Sequence, residues 1–273
     1  MSLFQATKPL LADGAMGTQL MAQGLTFSDC FEELNLSDPK RIQAIHKSYL
    51  DAGAELIWTH TFGANHFRLA AHGLENAMAE INKHAVNNAR LAGAKKIIGC
   101  LGPTGLNHEQ ADKISHATIL KTYRQQAHIL KEAGVEGLVA ETFTSLAEAK
   151  LVLEAMQTTF LPIAITLSPK NDLTLSDGLP LTLAFQTLIS EGLTTIGINC
   201  TSPAIVLAAL QALKPLTKCP FLAKPHAGFL DAPISAKNFA EFGRQLMAEG
   251  ASIIGGCCGT TPNYIRLLKP FVN

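Results

Sequence analysis

Three cysteines in this sequence stand where they could bind a metal. Cys257 and Cys258 are adjacent in the segment GGCCGTTP, and Cys200 ends the segment GINC. Adjacent cysteines can hardly bridge each other without strain, and six cysteines in 273 residues are too few for a disulfide scaffold. Three thiolates without an obvious fourth fit a catalytic zinc site, which keeps one tetrahedral position open. Burial without a metal is the competing interpretation, because cysteine is often simply buried.

Polar groups elsewhere suit the recognition of an amino acid. Asp13 in ADGAMGT and Glu141 in AETFTS are carboxylates that could accept an ammonium group. The backbone amides of Gly14 and Ala15 could receive a carboxylate, because glycine allows close approach. Asn199 is a further candidate, although bracing its loop is the simpler role. The competing roles are an Asp-Gly turn for Asp13 and a helix N-terminal acid for Glu141.

Composition narrows the classes of partner. The 22 basic and 22 acidic residues give a formal net charge of zero, and no basic stripe for nucleic acid is present. No apolar run approaches the roughly 20 residues that span a bilayer, and the N-terminal segment does not resemble a signal peptide. We therefore expect a cytoplasmic protein that binds neither nucleic acid nor membrane, in a reducing compartment where thiols stay free.

A repeated pattern of helix end, glycine, short apolar run and polar loop positions these groups. It recurs at five glycines, which suit the left-handed end of a helix: Gly53, Gly93, Gly134, Gly192 and Gly250. Further strands are predicted around 10–12, 162–167 and 220–224. Helices are predicted from about 39 and over 115–133, 145–157, 180–191, 202–214 and 237–249.

Eight alternating strands and helices predict a single (β/α)8 TIM barrel, with a doubly wound sheet as the weaker alternative. We expect one domain over residues 1–273. The C-terminal ends of barrel strands form the site of chemistry in this fold. Cys200 would lie at the end of strand six, and Cys257 and Cys258 would lie at the end of strand eight. All three thiols could therefore meet at the C-terminal mouth of the barrel.

The segments DGAMGTQL, THTFGAN, AETF, GINC and GGCCGTTP, in this order, resemble the homocysteine-binding methyltransferase family from about residue 10 to about residue 268. That family includes the homocysteine module of cobalamin-dependent methionine synthase. The resemblance implies a zinc-containing barrel with Cys200, Cys257 and Cys258 as zinc ligands. It also implies that Asp13 and Glu141 lie near homocysteine.

The implied reaction is methylation of homocysteine to methionine, which belongs to methionine biosynthesis. The thiolate is the reactive form of a thiol, and coordination by zinc would lower the thiol pKa so that it ionises at neutral pH. The protein would then align donor and acceptor for an in-line transfer.

Two histidines depart from the family pattern. Relatives usually have asparagine at the corresponding positions of TNTF and PNAG, whereas this chain has His60 in THTF and His226 in KPHAG. We favour a neutral replacement or a hydrogen bond to the backbone. The alternative is that one histidine takes the open zinc position or contacts a different thiol or donor.

The methyl donor is left open by the sequence. Segment 30–57 resembles the methionine synthase branch, but these 273 residues hold no D-x-H-x-x-G cobalamin motif. We expect methylcobalamin supplied by a corrinoid protein partner. S-methylmethionine or S-adenosylmethionine is the alternative donor, and a non-catalytic zinc- or thiol-binding subunit is the alternative from another class.

Overall fold

The computed structural model describes Phe4 and residues 8–107, 109–110, 113–228 and 233–272. Eight parallel strands form one sheet in the order β1-β8-β7-β6-β5-β4-β3-β2. Their bounds are β1 Leu10–Leu11, β2 Ile57–Trp58, β3 Ile97–Leu101, β4 Gly137–Phe143, β5 Ile163–Leu167, β6 Ile196–Asn199, β7 Phe221–Lys224 and β8 Ile253–Ile254. A parallel bridge between Ala12 and Leu56 joins the two ends of the sheet. The predicted (β/α)8 barrel is therefore confirmed.

Helices connect the strands on the outside of the barrel. The α-helices described are Gly17–Met21, Leu34–Ser37, Pro39–Ala52, His66–Ala70, Met78–Leu91, His116–Glu132, Leu146–Gln157, Leu181–Ser190, Pro203–Leu213, Ala236–Glu249 and Pro262–Leu268. Short 3-10 helices occupy Phe31–Glu33, Glu75–Ala77 and Lys269–Phe271. Among the described residues, no helix combines the length and apolar character needed to cross a bilayer.

The sequence signals at the helix ends have the predicted geometry. Asp38 caps helix Pro39–Ala52 by accepting from the backbone N–H of Arg41, and Gly53 ends this helix at φ 107°. The other four glycines of the repeated pattern also have φ between 88° and 103°. Side chains with a Cβ rarely adopt this conformation, which explains the glycine at each of these turns.

Alternation along the strands divides the apolar residues into two layers. One layer packs between strands and helices and contains Leu11, Ile57, Leu138 and Ile198. The other fills the barrel interior and contains Leu10, Ala12, Leu56, Trp58, Ile98, Cys100, Val139, Ala164, Leu222 and Ile253. Because successive strand side chains point to opposite faces, residues two positions after an interior residue also face inward. Glu141, Asn199 and Lys224 occupy such inward positions near the C-terminal ends of their strands.

Candidate metal and amino-acid site

A cavity of about 470 Å³ opens at the C-terminal ends of the strands. Its volume falls in the range of small-molecule binding pockets and exceeds the needs of a small amino acid. It is lined by two polar groups of residues. We call Cys200, Cys257 and Cys258 the thiol cluster, and Asp13, Glu141 and Lys224 the acid–lysine cluster.

The sulfur atoms of the thiol cluster all lie within 4.8 Å of one another. Cys200 Sγ and Cys258 Sγ are 3.8 Å apart. Two thiolates on a tetrahedral zinc ion, with Zn–S bonds of about 2.3 Å, are separated by about 3.8 Å. The cysteine cluster could therefore hold a metal ion, and its donor atoms and spacing fit zinc.

Special backbone conformations bring the three thiols together. Cys200 has φ 54°, a left-handed conformation that is uncommon for a residue with a side chain. A Cβ at Gly256 would collide with the side chain of Thr260, and one at Gly259 would collide with the carbonyl of Gly228. Both glycines flanking the cysteine pair are thus required by close packing at this turn. Cys257 is fixed further by its backbone N–H, which donates to the carbonyl of Pro225 at 2.9 Å.

The three thiols interact with one another, and this shifts their pKa values in opposite directions. Hydrogen bonds from Cys200 and Cys257 lower the pKa of the Cys258 thiol, because they stabilise its thiolate. The same contacts to Cys257 and Cys258 raise the pKa of Cys200. Binding of a divalent cation at such a cluster displaces thiol protons, because the thiolate is the form that ligates a metal.

Asn199 connects the thiol cluster with the C-terminal end of β4, which carries Glu141. Its side-chain Oδ1 accepts from the backbone N–H of Thr142 at 2.9 Å and from Thr166 Oγ1 at 2.8 Å. Its Nδ2 donates to Thr142 Oγ1 at 2.8 Å and lies 4.0 Å from Cys257 Sγ. Thr142 has φ 66°, so Asn199 supports a strained residue directly after Glu141. These contacts fit the bracing role expected from the sequence, and Asn199 is not among the described residues that line the cavity.

Asp13 already has a cationic partner in the acid–lysine cluster. Lys224 Nζ lies 2.9 Å from Asp13 Oδ1, and both side chains are about 95% buried. The other oxygen, Oδ2, accepts from the backbone N–H of Trp58 at 2.8 Å. Lys224 Nζ also lies 4.3 Å from the centroid of the Trp58 ring. Both carboxylate oxygens of Asp13 are therefore engaged by the protein itself.

Glu141 is engaged on one side only. Its Oε2 accepts from the thiol of Cys100 at 3.5 Å. Its Oε1 is buried, accepts no well-aligned hydrogen bond from the described residues, and lies 3.7 Å from Lys224 Nζ. The indole Nε1 of Trp58 is buried and makes no well-aligned hydrogen bond to a described residue, although its N–H is close enough to Glu141 to help lower the pKa of that carboxyl. The floor of the cavity therefore keeps one open acceptor on Glu141.

Burial and charge act against each other in this cluster. Burial alone would lower the pKa of Lys224, but the carboxylates of Asp13 and Glu141 raise it above its ordinary value. Burial raises the pKa of Asp13 and of Glu141, and the ammonium of Lys224 opposes that rise in both. Lys224 is thus held as a cation between two acids.

The turn after β1 is shaped for close contact with the cysteine loop. A Cβ at Gly14 would lie 2.7 Å from the Tyr49 ring and 2.8 Å from Thr260 Oγ1. The backbone N–H of Ala15 donates to Thr260 Oγ1 at 3.1 Å, and Tyr49 donates its hydroxyl to the Ala15 carbonyl at 2.6 Å. A substrate carboxylate would have to share the Ala15 amide with Thr260, whereas Gly14 keeps the backbone close to the cavity.

Both histidines that depart from the family pattern have backbone partners. His60 Nε2 donates to the carbonyl of Phe31 at 2.8 Å, which holds the loop that forms one wall of the cavity. His226 Nδ1 accepts from the backbone N–H of Gly228 at 2.9 Å. Among the described residues, the metal-binding group contains the three cysteines and neither histidine.

Lys224 is the residue that sequence reasoning missed. It lies at the end of the predicted strand PFLAK, two positions after the interior residue Leu222. A lysine at the C-terminal end of a barrel strand, in a position whose side chain faces the barrel interior, indicates a buried cation. Cys100 is a second such residue, because it lies in the apolar strand β3 and its thiol nevertheless reaches Glu141.

Comparisons with known proteins agree on one family. The homocysteine S-methyltransferase family model matches residues 10–272. The chain is 28% identical to methionine synthase of Mycobacterium tuberculosis and 27% identical to that of Mycobacterium leprae, over 94% and 96% of its length. It spans only 24% of the length of these two relatives.

Solved structures extend the comparison to the whole barrel. The metallated form of the homocysteine methyltransferase MmuM from Escherichia coli superposes with a TM-score of 0.83 at 29% identity, covering 98% of both chains. The oxidised form of the same enzyme gives a TM-score of 0.84 at 28% identity, with the same coverage.

Proposed function

The chain belongs to the homocysteine S-methyltransferase family, and we propose that it is a zinc-dependent enzyme that methylates homocysteine to methionine. One observation carries the proposal. Three clustered thiols and an open carboxylate line the same cavity, so a thiol and an ammonium of one small substrate could be bound together. We also propose that the barrel acts as one domain over residues 1–273.

We propose Cys200, Cys257 and Cys258 as the zinc ligands. The spacing of their sulfur atoms supports this, as does the similarity to a methyltransferase solved in a metallated form. Bound zinc would supply Lewis acidity that lowers the pKa of a thiol in its open position. A reducing, cytoplasmic setting would keep these thiols available, and all six cysteines are free in the structure.

The other residues bind and orient the substrate. The acids of the cavity floor, Asp13 and Glu141, supply the negative charge that attracts an ammonium group. The backbone at Gly14 and Ala15 is the candidate for the substrate carboxylate, and Asn199 holds the end of β4 that carries Glu141. Fixing both ends of homocysteine aims its sulfur at the cavity mouth, where the donor must arrive.

In the transfer, the substrate sulfur donates an electron pair to the donor's methyl carbon while the bond from that carbon to the donor breaks. The proton of the thiol is lost before attack, because the thiolate is the nucleophile. Burial of the floor excludes water from the amino-acid end, which strengthens the electrostatic contacts made there.

For the donor, we propose a methylated corrinoid protein that docks over the mouth. The similarity to methionine synthase supports it. Aromatic faces at the cavity already carry protein cations: Lys224 on Trp58 and Arg68 on Phe62, at 4.3 and 5.2 Å from the ring centroids. Those two rings are thereby less available to a sulfonium donor, which would favour a free aromatic face.

Methyl transfer by the zinc-loaded protein tests this function. Homocysteine is offered with a methylated corrinoid protein, with S-methylmethionine or with S-adenosylmethionine, and methionine is quantified. The proposal expects methionine with the corrinoid donor. Methionine only with a sulfonium would overturn the donor assignment, and zinc binding without methionine from any donor would favour a non-catalytic zinc subunit.

A further inference from the structure

The acid–lysine cluster contains one more charge than amino-acid recognition requires. Two buried carboxylates could bind one substrate ammonium, but Lys224 brings a second cation to the same place. Two ammonium groups and two carboxylates must then share the floor of the cavity. The question is which carboxylate serves the substrate.

Asp13 and Glu141 differ in how many of their carboxylate oxygens contact a donor of the chain. Both oxygens of Asp13 have a partner in the chain, because Oδ1 faces Lys224 Nζ at 2.9 Å and Oδ2 accepts from the Trp58 backbone N–H at 2.8 Å. Glu141 lies 3.7 Å from the same ammonium, beyond hydrogen-bond length, and its buried Oε1 accepts no well-aligned hydrogen bond from the described residues, although the indole N–H of Trp58 is nearby. A buried acceptor without a donor costs free energy that a ligand can recover.

We infer that Lys224 is a specificity-determining positioning residue: it occupies Asp13 as an internal ion pair and leaves Glu141 Oε1 as the acceptor that recognises the substrate ammonium. The cluster then has a net charge of −1, which one substrate ammonium neutralises. The substrate class is a thiol that carries a single ammonium within reach of the metal site. This inference rests on the proposed function and refines the sequence-based assignment, which gave both acids to the substrate.

The test compares two thiols that differ only in the ammonium group. Homocysteine and 4-mercaptobutanoate have the same thiol, chain length and carboxylate. Calorimetry with zinc-loaded protein gives a dissociation constant for each, and the ratio of the two isolates recognition of the ammonium. Wild-type protein should bind homocysteine about 10- to 150-fold more tightly, as expected for a hydrogen bond to a charged group.

Four variants separate the roles of the two acids. Glu141→Gln should bring the ratio close to one. Asp13→Asn should also lower it, because Lys224 then turns to Glu141. Adding Lys224→Met to Asp13→Asn should restore the ratio to within about threefold of wild type, since the internal pair is removed as a unit. Lys224→Met alone should raise the ratio, because it frees Asp13.

The double variant decides the inference. If Asp13 contacts the ammonium directly, Asp13→Asn/Lys224→Met will have the low ratio of Glu141→Gln, and the inference is overturned. A wild-type ratio near one overturns it as well. If the single Asp13 variant does not fold, the comparison of Glu141→Gln with the double variant still decides. Failure of zinc-loaded wild-type protein to bind either thiol would instead count against the proposed function.

Discussion

The two polar clusters of the cavity have opposite electrostatic needs. The thiol cluster gathers three groups that become negative together, and Lys224 of the neighbouring cluster is close enough to Cys257 for its charge to favour that thiolate. The acid–lysine cluster gathers two carboxylates and supplies its own ammonium at 2.9 Å from one of them. The first cluster could therefore be completed by a metal ion, whereas the second already holds a cation of the chain. In the proposed function, the same cavity separates activation of a thiol from recognition of an amino acid.

The largest expected effect comes from breaking the thiol cluster. Cys200→Ala leaves two thiols, and zinc then lacks a third protein ligand. Zinc content should fall well below one per chain, and methionine formation should fall by more than about 100-fold, because losing a residue that only supports a metal ligand already costs about 10- to 100-fold. Metal analysis and the methyl-transfer assay measure both.

A cysteine outside the cavity provides the control. Cys219 is partly buried against the outer core and precedes β7. Cys219→Ala should keep zinc and activity near wild type. Equal losses in the two variants would mean that the metal is not held by the thiol cluster.

The next effect comes from breaking the internal ion pair on one side only. Lys224→Met leaves Asp13 buried without its cation, and we expect a loss of about 3–5 kcal/mol in the free energy of unfolding. Asp13→Asn/Lys224→Met should recover most of that loss. Urea denaturation of the three proteins measures the difference.

The matched control is an exposed pair of the same type. Lys47 Nζ lies 2.6 Å from Asp51 Oδ1, with both side chains about 60% exposed. Lys47→Met should change the free energy of unfolding by no more than about 1 kcal/mol. If Lys224→Met lowers the free energy of unfolding as little as Lys47→Met does, Lys224 and Asp13 do not form a buried ion pair.

A smaller effect is expected at the connection between the two clusters. Asn199→Ala removes the acceptor of Thr142 N–H and Thr166 Oγ1, which should cost about 1–3 kcal/mol of stability. Zinc affinity should also fall about tenfold, as is usual when a residue that supports a metal ligand is lost. Asn88→Ala is the control, since Asn88 is equally buried but hydrogen-bonds Asn35 and Gln43. A similar loss of zinc affinity in both variants would assign Asn199 a purely structural role.

His46 provides a contrast to Lys224, because it is a buried base with no hydrogen-bond partner among the described residues. His46 is 1% exposed, neither ring nitrogen hydrogen-bonds a described residue, and burial lowers its pKa to about 3. Lys224 is equally buried, but its acids raise its pKa. Since unfolded histidine titrates near 6.5, the stability linked to neutral His46 is present above that pH and is lost as the pH falls toward about 3.

The expected loss from His46 is about 2 kcal/mol between pH 6.5 and pH 5.0. It should be absent from His46→Leu, measured by urea denaturation of metal-free protein at both pH values. Parallel losses in wild type and variant would show that His46 does not titrate on unfolding.

The thiol cluster and the fold were predictable because their signals are local. Glycines such as Gly53 and Gly250 mark helix ends. The segments GINC and GGCCGTTP indicate the candidate metal ligands by residue type alone, because they contain the cysteines. The acid–lysine cluster was not predictable from the sequence, because its ion pair joins residues that are distant along the chain: Lys224 and Asp13 are 211 residues apart. A carboxylate such as Asp13 suggests an ammonium partner, which the sequence analysis assigned to the substrate. The contact between the segment after β1 and the end of β7 shows that Lys224 of the chain itself is a partner.

The most direct test of the central claim is X-ray absorption at the zinc edge, with and without homocysteine. The account predicts three sulfur neighbours in the resting zinc protein and four after homocysteine is added. It also predicts three in Glu141→Gln at homocysteine concentrations that saturate the wild type. An unchanged sulfur count in wild-type protein that binds homocysteine would contradict thiol activation at Cys200, Cys257 and Cys258.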